Sequence, residues 1–242
     1  MAAEVLSSEE AQVADLTDQL ISQHPPASTS AIAFLGAQFD LGLAWVHFPV
    51  GHGGLGLTPK FQKIVNEKIA RAGGPNSYAR NPIGYGMCGP TVVEWGTEEQ
   101  KRKYLRPLFT GEEIWCQLFS EPGSGSDFAG LSAKGVKDGD EWIVNGQKVW
   151  TTLAHLSKWG LLVVRTDSEA VKHAGLTAVV VDMKNLPPTK GKVVWETDGR
   201  MGIAFNAEID PAKARQPVGK GEDPRPDFLK FSPTRRPGLK MT

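Results

Sequence analysis

Two cysteines in 242 residues are too few for a disulfide framework, and Cys88 and Cys116 are read as reduced thiols. The five histidines are scattered, so no His/Cys cluster has the spacing of a metal site. Neither charge predominates. Lys+Arg and Asp+Glu stand at 27 each, which removes the net field that draws proteins to nucleic acid or anionic membrane surfaces. No apolar run approaches the roughly 20 residues that cross a bilayer, and no basic segment followed by an apolar stretch opens the chain. These absences give the expectation of a soluble cytoplasmic protein with no nucleic-acid partner, no membrane span and no metal. The remaining composition, 40% hydrophobic and 22% charged, is enough to bury a core.

The first half reads as helical. Ser7 with Glu10 has capping-box form, and Val13, Leu16, Leu20 and Ile21 recur at helical spacing up to Pro25-Pro26. Ile32 to Phe39 gives a second helix, and Phe61, Ile64, Val65 and Ile69 mark a third that ends at Gly73-Gly74. A second capping box, Thr97 with Gln100, precedes Tyr104, Leu105, Leu108 and Phe109. From Glu113 the texture changes to short strands: Ile114–Phe119, Leu131–Val136, Trp142–Thr151, Leu161–Val164 and Leu176–Val181. Asp138-Gly139 and Asn145-Gly146 are turn signals between or within them. Helices followed by strands give an α+β class, an all-α N-terminal region ahead of a block of short strands whose turn spacing favours antiparallel hairpins. The boundaries fall at residues 1–112, 113–185 and 186–242. The last segment is rich in proline and glycine and reads as mostly irregular, with Val193-Val194-Trp195 its one plausible strand.

Three motifs carry chemistry. Gly51-His-Gly-Gly-Leu-Gly56 has the G-x-G-x-x-G form of a dinucleotide fingerprint, but the stretch from Asn76 to Thr91 lacks the acidic residue that a Rossmann unit places about 20 positions on. A glycine-rich turn between helices accounts for it as well. Phe119-Ser-Glu-Pro-Gly-Ser-Gly-Ser-Asp127 exposes backbone N–H groups at its glycines and adds hydroxyl donors, a set able to hold an anionic or carbonyl-rich ligand. Asn145-Gly-Gln-Lys-Val-Trp-Thr-Thr152 brings an indole and two hydroxyls, suited to stacking on and hydrogen-bonding a flat heteroaromatic ring.

Together with Glu98-Glu-Gln-Lys-Arg-Lys-Tyr-Leu105 and Gly111-Glu112, these last two motifs stand in an order and spacing that resembles the acyl-CoA dehydrogenase family, over about residue 5 to Lys184. The resemblance implies an all-α N-terminal domain followed by an antiparallel β-barrel domain, FAD lying across that barrel, and α,β-dehydrogenation of an acyl-CoA thioester. It also implies an electron-transfer-flavoprotein-type acceptor and a homo- or hetero-oligomer. Carried over by position, Gln117, Phe119 and Ser120 would line the pyrimidine side of the flavin. Gly125 and Ser126 would lie near the pyrophosphate, with Ser126 also toward acyl-CoA. Trp150, Thr151 and Thr152 would flank the ring, with Thr152 near N5. His52 and His155 are given no catalytic part.

The family pattern continues into a second helical domain whose glutamate removes the α-proton. The sequence after 185 departs from that pattern, with Phe205-Asn206 as its only trace. No residue is therefore assigned as catalytic base, and the chain reads as truncated before the C-terminal four-helix bundle. Two other readings stand beside this one: a non-catalytic subunit of the same fold that binds FAD, acyl-CoA or a partner, and a nicotinamide oxidoreductase built on the Gly51 loop.

Overall fold

The computed structural model describes residues 8–139, 141–183, 191–197 and 200–205. Helices come first: α1 (Ser8–Gln23), α2 (Ala31–Asp40), α3 (Gln62–Arg71), α4 (Ser77–Arg80), α5 (Gly89–Trp95) and α6 (Glu98–Thr110). Strands follow as β1 (Trp115–Leu118), β2 (Lys134–Asp138), β3 (Glu141–Asn145), β4 (Trp159–Arg165) and β5 (Leu176–Asp182). The helices-then-strands order and the α+β class stand as the sequence implies.

Local chemistry explains the helix ends. Ser30 accepts the Ala33 amide at 3.3 Å to start α2. At α6 both halves of the capping box form, Gln100 N to Thr97 Oγ1 at 3.2 Å and Thr97 N to Gln100 Oε1 at 2.8 Å. Gly111, with φ +73°, closes α6 in the left-handed conformation that suits glycine. The start of α1 at Ser7 lies outside the described residues. Helix α2 is buried on most sides and packs on α6, where Arg106 forms a fork to Asp40 with both bonds at 2.9 Å.

One apolar cluster runs from the helices into the sheet. It joins Leu35 and Phe39 of α2, Trp45, Leu105, Leu108 and Phe109 of α6, Trp115 of β1 and Leu161 of β4. Tyr104 stands edge-on to both Trp115 and Trp159, at 5.4 and 5.1 Å. The sheet is thus bolted to the helical domain by aromatic packing.

The sheet order is β1-β4-β2-β3, with β5 paired to β4. Hairpin pairings, β2 with β3 and β4 with β5, are antiparallel as turn spacing implies. Two pairings are parallel: β1 runs beside residues 159–162 of β4, and Lys134 of β2 pairs with Arg165 at its far end. Strands β1 and β2 therefore lie end to end along one edge of β4. The segment between them leaves that edge after Leu118 and rejoins it at Lys134, and the whole Ser-Glu-Pro-Gly-Ser-Gly-Ser motif lies in this excursion. Gly135 lets β2 lie close on β4, since a Cβ there would come within 2.7 Å of Val164.

Residues from Lys184 onward form a separate unit. Within it, β6 (Gly191–Thr197) and β7 (Arg200–Phe205) pair antiparallel with an irregularity between Val193 and Trp195. The expected strand at Val193-Val194-Trp195 is thus one arm of a hairpin, and Met201-Gly-Ile-Ala-Phe205 supplies a second arm that its glycine and isolated apolar residues conceal in the sequence. The expectation of irregular chain beyond Phe205 falls on residues outside those described.

Candidate functional site

Gln117 sits on β1, opposite Leu161 of β4. Its Oε1 is buried and has no hydrogen-bond partner, a costly state for an amide carbonyl unless something outside the chain supplies a donor. Phe119 follows, half-buried, edge-on to Phe128 at 5.4 Å. Ser120 is half-buried and its carbonyl accepts the Val149 amide at 2.8 Å. That bond brings the two motifs together, although 29 positions of sequence separate Ser120 from Val149.

The excursion itself starts with a tight turn, Glu121 N to Ser124 O at 2.7 Å and Ser124 N to Glu121 O at 3.1 Å. Ser124 Oγ donates to Asp127 O at 2.5 Å. Gly125 and Ser126 are exposed. A Cβ at Gly123 or Gly125 would meet no atom of the chain within 4 Å, and neither glycine has positive φ. Neither backbone conformation nor packing thus requires glycine there, whereas close approach of a ligand to bare backbone would.

Trp150, Thr151 and Thr152 lie on turns. The sequence places them on a strand that continues through Asn145-Gly146, and the structure corrects this. Strand β3 ends at Asn145, because Gly146 crosses so near Ala133 that a Cβ would stand 2.4 Å from its methyl. Trp150 and Leu153 then take φ of +58° and +66°, and Ala154 and Leu156 amides close turns on Thr151 and Leu153 at 3.1 and 2.9 Å. The reversal delivers Lys158 and Trp159 amides to the Ile114 carbonyl, which sets β4 parallel to β1. Trp150 presents its indole outward, 69% exposed, and Thr152 is exposed while Thr151 is half-buried.

Two functional-looking residues escaped assignment from sequence. Glu121, 4% exposed at its side chain, pairs with Lys148, 9% exposed, at 2.8 Å. The carboxylate also accepts Ser132 N at 2.6 Å, Ser132 Oγ at 2.7 Å and Ala133 N at 2.9 Å, while Lys148 Nζ donates to the Phe119 carbonyl at 2.9 Å. Burial pushes the carboxyl up, but the donors from Lys148, Ser132 and Ala133 outweigh it and bring it down to about 2. The available signal was an acidic and a basic residue each embedded in a motif of Gly, Ser and apolar residues.

The Gly51 loop is explained by packing. Gly53, with φ +83°, would drive a Cβ into the Phe39 ring at 2.5 Å, and Gly54 into the Phe48 carbonyl at 2.0 Å. The loop folds back on residues 44–48, with Ala44 and Trp45 amides on Gly53 O and Leu55 N on Val46 O. It is a turn between helices, and His52 is tied to Glu98 at 3.0 Å. A cleft of about 430 Å³ lies in the helical domain between Gln38, Ile69, Tyr78, Tyr85 and Phe109. Among the described residues no group of three His, Cys, Asp or Glu could hold a metal, and no helix is long and apolar enough to cross a membrane.

Residues 5–112 match the family profile described as acyl-CoA dehydrogenase, N-terminal domain, and residues 116–209 the one described as acyl-CoA dehydrogenase, middle domain. The chain is 42% identical over 142 residues to acyl-CoA dehydrogenase IpdE1 of Mycobacterium tuberculosis, covering 59% of this chain and 36% of that protein. It is 37% identical over 169 residues to acyl-CoA dehydrogenase FadE29 of the same organism, covering 70% and 42%. In structure it resembles a chain of the ChsE4-ChsE5 complex from Mycobacterium tuberculosis, with TM-score 0.54 and 25% identity over 84% of this chain and 54% of that one. The chain thus spans less than half the length of these curated relatives.

Proposed function

The chain belongs to the acyl-CoA dehydrogenase family, and from that premise we propose that residues 115–152 form the flavin-facing wall of a site that dehydrogenates acyl-CoA thioesters. The observation that carries this is the Val149–Ser120 bond, which gathers the Gln117-to-Ser126 segment and the Trp150-Thr-Thr152 segment at one end of β1. FAD, when bound, supplies the hydride acceptor for the substrate β-carbon. The residues present suit it: Gln117 Oε1 awaits an imide-type N–H donor, the Gly123 and Gly125 backbone leaves room for a pyrophosphate, and Trp150 offers a ring face. Phe119 and Ser120 extend the same wall. Ser126 is assigned to the pyrophosphate and acyl-CoA side, and the hydroxyls of Thr151 and Thr152 to the ring edge, where a donor stabilises developing negative charge.

Glu121 is not the base. Its oxygens are taken by Lys148, Ser132 and Ala133, and a carboxyl held near 2 is a poor proton acceptor at neutral pH. The α-proton acceptor is assigned to a carboxylate outside residues 115–152, so the wall described here orients and the opposing wall takes the proton. A second chain is one source of that wall, and the kinship to a chain of the two-protein ChsE4-ChsE5 complex favours an assembly of this kind. Electrons would pass on to an electron-transfer-flavoprotein-type acceptor. The non-catalytic alternative, a subunit of the same fold that binds FAD or acyl-CoA, predicts binding without turnover in any assembly.

The test is a flavin titration of the purified chain, followed by saturated acyl-CoAs of several lengths. Quenching of flavin fluorescence that Gln117→Leu weakens supports the assignment. An unaltered titration in that variant, or binding of NADH in place of FAD, overturns it. Bleaching by the chain alone at about 1 s⁻¹ or faster would show that this chain itself supplies a base and that no second chain is needed for it.

A further inference from the structure

We infer that Lys148 and Glu121 are positioning residues: the pair braces the Trp150-Thr-Thr152 segment against both ends of the loop that faces it, and it does so in the protein before any cofactor arrives. The consequence for cofactor binding rests on the flavin assignment; the brace itself rests on geometry alone.

Residues 146–157 include no strand, so the ladder that would fix their direction is missing. Lys148 supplies the fixing bonds. Its ammonium reaches the Phe119 carbonyl at 2.9 Å and Glu121 Oε1 at 2.8 Å, at the beginning of the loop. Glu121 in turn grips Ser132 and Ala133, the residues that lead back into the sheet. One side chain is thereby tied to the departure and the return of the same excursion.

Both charges are nearly closed off from water. Removing one would strand the other in a medium that solvates it poorly, so the pair holds its geometry more tightly than an exposed pair would. Two residues on, Trp150 keeps a φ of +58°, and Leu153 one of +66°. Side chains of this bulk hold such values only where the surroundings impose them. Lys148 is the nearest buried anchor upstream of both, and the Val149 amide bond to Ser120 lies between anchor and indole.

The experiment uses the full chain and reads two quantities, amide hydrogen exchange without FAD and FAD affinity. Lys148→Met keeps the stem and removes the donor. Exchange at Val149 is expected to quicken about tenfold or more while the amides of α6 keep their rate, because the loss is a local opening. FAD should bind about tenfold more weakly, and Lys148→Arg, which keeps a cationic donor, should recover much of both. Unchanged Val149 exchange and FAD affinity in a folded Lys148→Met protein overturn the proposal, as does an equal quickening of Val149 and α6, which would mark ordinary loss of stability. If that variant does not fold, Ser132→Ala removes only the hydroxyl bond to Glu121 and is read in the same way: a local change at Val149 supports the brace, a uniform change or none refutes it. Should the wild type take up no FAD, the exchange measurements still decide the brace, and the flavin assignment alone falls.

Discussion

The Trp115 amide donates to Asn81 Oδ1 at 3.1 Å, so a side chain at the end of α4 sets where the sheet begins. The same amide group of Asn81 donates to the carbonyls of Leu108 at 3.0 Å and Glu113 at 3.2 Å, and its oxygen also accepts Gly84 N at 3.2 Å. Ser77 Oγ caps the Phe109 carbonyl at 2.5 Å and Arg80 the Thr110 carbonyl at 3.2 Å. The last carbonyls of α6, which have no partner inside the helix, are thus satisfied by α4 and its flank. Helical domain and sheet share a polar clasp as well as an apolar core.

Asn81→Ala should therefore destabilise the chain by about 3 kcal/mol or more, since it leaves several buried backbone groups unpaired at once. Urea unfolding followed by tryptophan fluorescence measures it. A loss below about 1 kcal/mol would mean that water replaces the amide, and the clasp would not organise the junction.

Helices α1, α2, α3 and α6 were legible because their signals are local: capping residues, apolar spacing and glycine stops fall close together in sequence. The strands were legible as segments and, in the hairpins, as antiparallel partners, but the parallel pairings were not. Nothing in Ile114–Phe119 states that β1 pairs in parallel with a strand beginning at Trp159, since that register depends on a reversal through Trp150 and Leu153 at unusual φ. For the same reason the alternation in Val149-Trp-Thr151 reads as strand. The candidate site residues Gln117, Ser120 and Trp150 were proposed on the family resemblance, whereas Glu121 and Lys148 were not, because a buried ion pair has no sequence period. Gly51 to Gly56 shows the reverse failure, a fingerprint whose glycines answer to Phe39 and Phe48.

Cysteine chemistry offers a second check on the shared core. Cys88 and Cys116 are both fully buried; burial, with the neighbouring Cys116 thiol, pushes Cys88 up to about 12, and burial also raises Cys116 against a bond from Ser157. Neither forms thiolate near neutral pH, so a disulfide reagent at pH 8 should modify them only at the rate of unfolding. Two thiols reacting at once in denaturant and none in buffer is the expected pattern. Fast labelling of either in the folded chain would place it at an accessible surface.

The Glu121–Lys148 pair gives a pH dependence of definite sign. A carboxyl lowered from 4.5 to about 2 on folding stabilises the native chain fully above pH 4.5, and that contribution is lost as pH falls through about 2. The size is about 3 kcal/mol. Unfolding free energies of wild type and Glu121→Gln should differ by a constant amount above pH 5 and converge as the pH is lowered from 4.5 toward 2. A difference that stays constant down to pH 2 would mean that the charge contributes nothing and only the shape of the side chain matters.

Two glycines separate folding from ligand binding. An alanine Cβ at Gly54 would stand 2.0 Å from the Phe48 carbonyl oxygen, a backbone atom that no rotamer change can move aside. Gly54→Ala is expected to cost about 2 kcal/mol or more, the range of overpacked core sites. Gly125 has no such neighbour and no left-handed φ, so Gly125→Ala should leave stability within about 0.5 kcal/mol. Its methyl would instead project from the backbone that is assigned to the pyrophosphate, and FAD should bind about tenfold more weakly, a loss of roughly 1.4 kcal/mol. Thermal melts and flavin titrations on the same two variants resolve the matter. Were Gly125→Ala to melt early, or to bind FAD as the wild type does, the bare loop would have a structural origin and the cofactor would have to be sought elsewhere on the sheet.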